Sequence, residues 1–502
     1  MEQSTWPRWA LRTLWQWLAS PLFWGLTMGL FIVQAVYIAL VGRFSMAFDE
    51  YYHLGSIQAY AKVWLPWSVQ QPAGPATIGA VPADGSYLYH YLMSFPYRLL
   101  EHITTNLTIQ IVTLRLIDVA IMVAGFYVFR RLLLRLGMGR SAAHILLWIV
   151  SLLPMTPFLA GQITYDVLWF TMTGVTLLAL VNLGDTILQR HIVPLRDTCW
   201  VLSLVALTSQ VKYAFLPIAL AGVIFLIVLI VKGVHSQRIH LRNTFTEWRS
   251  SLRMPATIGV IALLLVSGVF FAARYGSNIV KYHTPVPACN VVLTKERCLA
   301  YGPYARDEGN RALDLDKQLT ALNKLGYPFG WFSQMLRESY FAVGPLEINY
   351  PTGAPLPLSY WTGSAVAVIS LLLLLARGKQ LWQKGVHERL LIVLVGMYIV
   401  FLFIDNYHAF VRTGEPVAIH GRYLLSLLPP LGYLVYEAVR TLREWQRGRT
   451  YVIAGVVVVA VITAYGGGIA PFIIRSADNW YKPSAVAVSK RVRSVLWPIL
   501  LR

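Results

Sequence analysis

Long runs of apolar residues, separated by short polar stretches, dominate this chain. A membrane-spanning helix needs about 20 mostly apolar residues, and runs of this kind occur about eleven times. The predicted spans are Pro21–Val41, Ile111–Leu134, Ala142–Leu159, Asp166–Leu183, Cys199–Val211, Phe215–Val231, Ala256–Ala273, Trp361–Ala376, Leu390–Ile404, Tyr423–Val439 and Tyr451–Ile474. The pattern predicts an all-α polytopic membrane protein.

The composition strengthens this prediction. Of 502 residues, 56% are hydrophobic and only 13% are charged, whereas soluble proteins carry about 25% charged residues. A soluble globule of this composition would expose large apolar patches and aggregate. A soluble enzyme, a disordered chain and a repeat solenoid are therefore excluded.

The charge is strongly basic, with 43 Lys and Arg against 23 Asp and Glu, a net charge of +20. Such an excess can indicate nucleic-acid binding, but here the cations lie between apolar runs and no separable polar domain holds them. Cations crowd the cytoplasmic ends of membrane spans. We therefore expect no nucleic-acid partner and place the N-terminus in the cytoplasm.

This orientation leaves two long segments outside, at residues 42–110 and 274–360, each expected to carry short amphipathic helices. Residues 1–273 then hold spans one to seven with the first periplasmic loop, and 274–360 form the large periplasmic loop. Residues 361–474 hold spans eight to eleven, and 475–502 form a tail whose side depends on the span count.

Two local features of the sequence leave alternatives open. Cys289 and Cys298 lie nine positions apart in the second outside loop, where an oxidising compartment makes a disulfide plausible and two free thiols are the alternative. The pair of short apolar runs around Lys212 and Pro217 is either one broken helix or two short ones.

An acidic motif, Asp49-Glu50 with His53, follows the first span directly. Two carboxylates and a histidine at a membrane surface are costly to bury. One carboxylate could act as a general base toward an acceptor hydroxyl. The alternatives are acids that favour a helix N-terminus and a solvated turn.

Three cations lie at the outer ends of spans, and these are Arg115, Lys212 and Arg422. Each alone could extend to the lipid headgroups. Together at one face they would form a site for a donor phosphate, with Arg giving bidentate contacts. We expect the acid pair after the first span to share one pocket with Lys212 and Arg422.

Other outside polar residues are candidate substrate contacts: His53, His90, Tyr91, Asp166, His420 and Tyr423. His90 and Tyr91 lie on a segment that also fits an amphipathic helix on the membrane. N-capping is the default explanation for Asp166. The chain has no Walker loop, Rossmann glycine pattern, His-Glu-x-x-His or Gly-x-Ser-x-Gly motif, so its donor must be available at the outer face.

These motifs resemble the GT-C superfamily of polytopic glycosyltransferases. The resemblance rests on Asp49-Glu50 with His53 after the first span, an amphipathic segment in the first loop, the YDVLWF start at Tyr165, and the large late loop. More narrowly, the chain is similar to a bacterial family of membrane proteins often encoded among surface-polysaccharide genes. The counterparts of that family's motifs are Asp49-Glu50-Tyr-Tyr-His53, Lys212 to Pro217, and Gly421-Arg422-Tyr423-Leu424.

The resemblance implies an enzyme of the bacterial inner membrane with its active site facing the periplasm. It would move a sugar from a polyprenyl-phosphate donor to a glycan, lipid or protein acceptor, with inversion. Asp49 would be the base, with Glu50 as the fallback, and the cations would stabilise the leaving phosphate. Some members of the superfamily use a divalent metal and others do not; we expect none to be required.

Two other functions stay open. A glycan ligase would use a polyprenyl-diphosphate donor at the same place. A secondary transporter or flippase would show inverted repeats and charges near the bilayer midplane, and neither is evident in the sequence.

Overall fold

The computed structural model describes residues 8–46, 49–312, 319–341, 358–441, 467–475 and 478–500, with Gly455, Val459 and Thr463 as isolated positions. Regular structure in this part of the chain is helical. The one β-type pairing recorded there is an isolated antiparallel bridge between Gly42 and Tyr481. The predicted all-α class is confirmed for the described residues.

The helices of the first half are α1 (Arg8–Leu18), α2 (Pro21–Val41), α3 (Glu50–Ala61), α4 (Leu88–Ile103), α5 (Leu107–Arg135), α6 (Arg140–Leu152), α7 (Met155–Ala160), α8 (Tyr165–Arg190), α9 (Leu195–Val211), α10 (Leu216–His235), α11 (Leu241–Ser251) and α12 (Pro255–Phe271). Those of the second half are α13 (Ser277–Tyr282), α14 (Cys289–Val292), α15 (Lys295–Cys298), α16 (Gly302–Arg311), α17 (Ala321–Phe341), α18 (Leu358–Lys384), α19 (Val386–Thr413), α20 (Leu428–Arg440), α21 (Ala470–Arg475) and α22 (Val486–Leu500). A π-helical turn, Ala272–Gly276, joins α12 to α13, and a 3-10 helix, Gly421–Leu427, precedes α20.

Seven helical segments in the described residues are long and apolar enough to cross a membrane: Pro21–Val41, Leu107–Arg135, Tyr165–Arg190, Tyr213–His235, Pro255–Tyr282, Trp361–Lys384 and Val386–Thr413. Several turn large apolar side chains outward, such as Leu265, Ile369 and Leu375, which are 65%, 63% and 72% exposed. Water would not tolerate such faces on a monomer, but lipid would. The protein is a multi-pass membrane protein.

The predicted number of about eleven spans stays a prediction. Three predicted spans fall on helices that are interrupted or shorter than 18 residues. Pro154 separates α6 from α7, α9 has 17 residues, and α20 begins only after the 3-10 helix. The run at 451–474 lies mostly outside the described residues. The prediction of a break near Lys212 is resolved as two helices, joined by an extended Lys212 and a 3-10 turn at Tyr213–Phe215.

Helices α5, α8 and α9 pack side by side in the bundle, and α12 packs against α9 with most of its surface exposed. Two glycines let α5 and α8 approach closely. A Cβ at Gly125 would lie 2.5 Å from Thr171 and 2.6 Å from Phe170, and one at Gly174 would lie 3.2 Å from Phe129. Small residues at such contacts allow dense packing where lipid gives no hydrophobic driving force.

Several breaks in the helices meet at one end of this bundle, which we call the site end. There α2 stops at Val41, α8 starts at Tyr165, and the 3-10 helix begins at Gly421. The tail returns to the same end, since Arg43 N donates to Trp480 O at 2.7 Å and Lys482 N donates to Val41 O at 2.8 Å. Residues 480–482 therefore lie on the same side of the bundle as the acidic motif.

Candidate active site

Asp49 begins α3 in the left-handed region, with φ 71°. Asp49 and Glu50 do lie at the N-terminus of this helix, but the Asp49 side chain makes no capping hydrogen bond. The carboxylate is 44% exposed and accepts a hydrogen bond from Arg422 Nη2 at 3.3 Å. A left-handed conformation in a residue other than glycine costs free energy and often accompanies function. Here it separates the direction of Asp49 from that of its neighbour.

Glu50 points the opposite way and is fully buried. Its two oxygens accept from Arg115 Nε and Nη2, both at 2.7 Å, and from the backbone N–H groups of Met46 and Ile163 at 2.8 and 3.0 Å. Arg115 also donates to the carbonyl oxygens of Ala39 and Gly42. These contacts link the acidic motif to three separate parts of the chain.

This geometry corrects two sequence assignments. Glu50 cannot serve as the fallback base without losing its buried ion pair with Arg115. The guanidinium of Arg115 is already bound to this carboxylate, and both side chains are 0% exposed. A buried pair of this kind is held by charge-assisted hydrogen bonds in a low dielectric. We therefore assign both residues a structural role and remove Arg115 from the predicted phosphate site.

Arg422, Lys212 and Asp166 form one buried charge cluster beside Asp49. Lys212 Nζ donates to Asp166 Oδ1 at 2.5 Å, and Arg422 Nη1 lies 3.8 Å from Asp166 Oδ2. The side chains of Lys212 and Asp166 are 3% and 2% exposed. The expected convergence of Asp49, Lys212 and Arg422 is thus present, and Asp166 joins it.

Asp166 reaches the cluster because a different residue caps its helix. Thr164 is the N-cap of α8, and its hydroxyl accepts from the backbone N–H of Asp166. The default explanation of Asp166 as an N-cap is therefore wrong. Its carboxylate is left to neutralise Lys212, which a hydrocarbon environment requires.

Aromatic rings enclose Lys212. Its ammonium lies 4.8 Å from the ring centroid of Tyr165 and 4.7 Å from those of Trp169 and Tyr423. Cation–π contacts contribute about 2 kcal/mol when the charge is desolvated. Burial nevertheless lowers the pKa of Lys212 to about 8, with the Asp166 carboxylate opposing the shift. Tyr423 was predicted for the site; Tyr165 and Trp169 were missed, although both belong to the YDVLWF segment.

His53 and His90 lie behind Asp49 as a buried pair. Nδ1 of His53 and Nε2 of His90 share a hydrogen bond of 2.8 Å, and the rings stack with centroids 5.2 Å apart. Burial lowers the pKa of His90 to about 4, and burial with the charges of His90, Arg422 and Lys212 holds the pKa of His53 well below its usual range. Both are neutral and only 1% or less exposed, so they support the site wall instead of presenting a surface to substrate.

His420 and Tyr91 differ in their relation to the site. His420 Nδ1 accepts from Arg422 N, which fixes the turn that carries Arg422, and its Nε2 lies 3.6 Å from Glu338. Tyr91 donates to the Trp64 carbonyl and packs against Phe95. The structure therefore brings His420 beside the cluster, and Tyr91 belongs to the outer surface of the first loop.

Asp84 and Tyr52 are further polar residues at this end that sequence inspection did not single out. Tyr52 OH donates to Asp84 Oδ2 at 2.5 Å. Ser86 N donates to the other carboxylate oxygen, and Tyr213 N donates to the Ser86 hydroxyl. Tyr52 could have been found as the residue one turn after Asp49 on the same helix; Asp84 had no sequence signal beyond its place in a polar stretch.

The predicted disulfide between Cys289 and Cys298 is present in the structure. Within the described residues, no group of three or more His, Cys, Asp or Glu side chains could hold a metal ion. The expectation that no metal is required stays a prediction.

Comparison with known proteins adds no family to this geometry. No protein-family model and no curated protein matches the chain. Its function must therefore be inferred from the residues of the site and from the resemblance of their motifs.

Proposed function

We propose that the protein is a membrane glycosyltransferase of the GT-C type, which moves a sugar from a polyprenyl-phosphate donor to a cell-envelope acceptor. The observation that carries the proposal is the contact between a half-exposed carboxylate, Asp49, and a buried cation, Arg422, at 3.3 Å. This contact joins a proton acceptor and an anion-binding group in one place.

Arg422 and Lys212 suit the leaving phosphate. Both are buried, where a positive charge acts with less screening than in water. Asp166 balances them in the absence of substrate, so the cluster holds two cations and two carboxylates. A lipid phosphate that enters the cluster would replace Asp49 on Arg422, because Asp49 is the most exposed and least tightly held of the four.

That replacement gives Asp49 its catalytic role. Once Arg422 binds phosphate, an Asp49 oxygen is available to accept the proton of an acceptor hydroxyl. The hydroxyl oxygen attacks the anomeric carbon, the bond from that carbon to the phosphate oxygen breaks, and the charge grows on the phosphate beside Arg422 and Lys212. A single displacement inverts the anomeric centre.

The proposed location is the periplasmic face of the bacterial inner membrane. The helix α5 begins near the site end and ends in the basic segment Arg130–Arg140, and α8 begins at the site and ends at Arg190. Basic loops favour the cytoplasmic side. The charge cluster therefore belongs at the opposite side, where polyprenyl-linked sugars are used as donors.

Purified protein in lipid nanodiscs, incubated with polyprenyl-phosphate sugars and a panel of envelope acceptors, tests the proposal. We expect a glycosylated product whose anomeric configuration is opposite to that of the donor, and its loss in Asp49→Asn. Full transfer by Asp49→Asn would reject the assigned base. Transfer only from a polyprenyl-diphosphate glycan would establish a ligase, and uptake into proteoliposomes with no covalent product would establish a transporter.

A further inference from the structure

The site end contains a second surface, next to the charge cluster, that the mechanism above does not use. It consists of Tyr52, Asp84 and Tyr301, which come from α3, the first loop and the segment before α16. Each is partly exposed. Aromatic rings with a fixed carboxylate suit a ligand that has both apolar faces and hydroxyl groups.

Asp84 is fixed in place but keeps accepting capacity. Its two oxygens each take one hydrogen bond, from Tyr52 OH at 2.5 Å and from Ser86 N at 2.9 Å. An ionised carboxylate has about four lone-pair sites, so two remain for a ligand hydroxyl.

Asp84 is also tied to the phosphate site. The hydroxyl of Ser86 accepts from Tyr213 N at 3.1 Å, and Tyr213 directly follows Lys212. On the other side, Tyr52 lies on the first turn of the helix that Asp49 begins. A ligand at Asp84 would therefore adjoin a phosphate held by Lys212.

Tyr301 covers this surface. Its ring centroid lies 6.0 Å from that of Tyr52, and its ring packs over Gly79, where a Cβ would lie 3.4 Å away. Burial raises the pKa of Tyr301, and the charges of Asp49 and Asp84 raise it further. The phenol therefore lies within electrostatic reach of both carboxylates.

The disulfide loop holds Tyr301 in position. Arg297 donates to the carbonyl oxygens of Gly74 and Pro72, both at 2.8 Å, and its own carbonyl accepts from Ala76 N at 3.0 Å. Tyr301 N donates to Cys298 O at 2.9 Å. The loop closed by the disulfide thus binds the segment that also carries Gly79, and Tyr301 follows it directly.

We propose that Tyr301, Tyr52 and Asp84 form a subsite for a sugar ring, with the ring against Tyr301 and its hydroxyls on Asp84. The proposal rests on the proposed glycosyl transfer and names the part of the protein that recognises the sugar. The ring can belong to the donor or to the acceptor, because both carry the same chemistry and both must approach Asp49.

A binding experiment in nanodiscs tests the subsite without requiring turnover. The donor probes are undecaprenyl phosphate and the same lipid bearing glucose, galactose or mannose; the acceptor probes are the corresponding methyl glycosides, added to protein saturated with undecaprenyl phosphate. We expect wild type to bind one sugar-bearing lipid at least tenfold more tightly than the bare lipid phosphate, or to bind a methyl glycoside measurably.

The variant Tyr301→Ala should remove this sugar-dependent binding while its affinity for bare lipid phosphate stays within about twofold, which also shows that it folds. Loss of the donor preference assigns the ring to the donor, and loss of methyl glycoside binding assigns it to the acceptor. Tyr304→Ala is the matched control: it lies on α16, packs beside the disulfide, and should change neither quantity.

The subsite is rejected if wild type shows no sugar-dependent binding with any probe, or if Tyr301→Ala leaves that binding intact. Rejection of the subsite can be distinguished from failure of the proposed function by the binding of bare lipid phosphate. In the first case the lipid phosphate would still bind at Lys212 and Arg422, whereas an absence of lipid phosphate binding would reject the phosphate site itself.

Discussion

Glu50 and Arg115 form two charge-assisted hydrogen bonds of 2.7 Å in a place that solvent does not reach. The pair joins the segment after the first span to the start of α5. Asp49, which directly precedes Glu50 in the sequence, faces Arg422 instead. Two adjacent acids therefore have separable roles, and substitution can distinguish them.

Glu50→Gln should destabilise the protein strongly. It leaves the Arg115 guanidinium buried without a counter-charge, which costs about 3–5 kcal/mol in comparable cases. The measurement is thermal unfolding in detergent, followed by intrinsic fluorescence. Adding Arg115→Met should recover part of the loss, because no uncompensated charge then remains. An unchanged unfolding temperature for Glu50→Gln would contradict the structural role.

Asp49→Asn should behave in the opposite way. The side chain is 44% exposed, and ion pairs of this exposure contribute only about 0–1 kcal/mol, so unfolding should hardly change. Sugar transfer should fall by about 10²–10⁴-fold, the usual contribution of a general base. The unfolding temperature and the rate of sugar transfer are measured on the same preparation. A large drop in stability, with activity lost in proportion, would instead place Asp49 with Glu50 as a structural acid.

Binding of a lipid phosphate should weaken as pH rises through about 8. Burial lowers the pKa of Lys212 to about 8, so the cation is present below that pH and is lost above it. Titration of undecaprenyl phosphate from pH 6.5 to 9.5 should show this decline. Lys212→Met should bind more weakly at pH 7 and should lack the decline centred near pH 8. A wild-type affinity that does not vary over this range would contradict a phosphate contact by Lys212.

The buried carboxyl of Glu338 should make the stability of the protein depend on pH. Burial raises the pKa of Glu338 to about 7, so the folded state holds a proton that the unfolded state has lost above its ordinary carboxyl pKa. Stability from this group is complete at low pH and is lost as pH rises through about 7. Glu338→Gln should therefore raise the unfolding temperature at pH 8 and change it little at pH 5.5. Equal shifts at the two pH values would argue against a buried carboxyl.

Gly125 should not accept a side chain. A Cβ there would lie 2.5 Å from Thr171 and 2.6 Å from Phe170, so Gly125→Ala would push α5 and α8 apart. Overpacking of this kind costs about 1–3 kcal/mol. Gly184→Ala on α8 is the control, because nothing lies within 4 Å of its added Cβ. If both variants unfold at the wild-type temperature, the close approach of the two helices is not as described.

The sequence predicted much of the architecture because the length of an apolar run is a strong local indication of a spanning helix. The predicted first span, Pro21–Val41, is reproduced residue for residue as α2. The signal fails where a helix is short, as for α9, or broken, as between α6 and α7. The chain breaks at Leu153 and Pro154 between α6 and α7, and α9 ends at an extended Lys212, so these helices do not follow the full length of the apolar run.

The site was predictable only in part. Charged residues beside apolar runs identified Asp49, Lys212 and Arg422, because each is costly to bury and so requires a partner. The same signal does not tell which residue each of these charged side chains pairs with. Arg115 has the same local context as Lys212, yet it binds Glu50, and this depends on how α2, α3 and α5 meet in space.

The pairing of Gly42 with Tyr481 has a consequence for the order of biosynthesis. Tyr481 emerges from the ribosome only after every candidate span that the structure describes, so the chain at the end of α2 must wait for this neighbour until residue 481 has been synthesised. The nascent chain can insert its helices earlier, but the backbone at Gly42 and Arg43 acquires this partner only afterwards. Removal of residues from Asp478 onward should therefore yield a membrane-inserted protein whose acidic motif is loosely held.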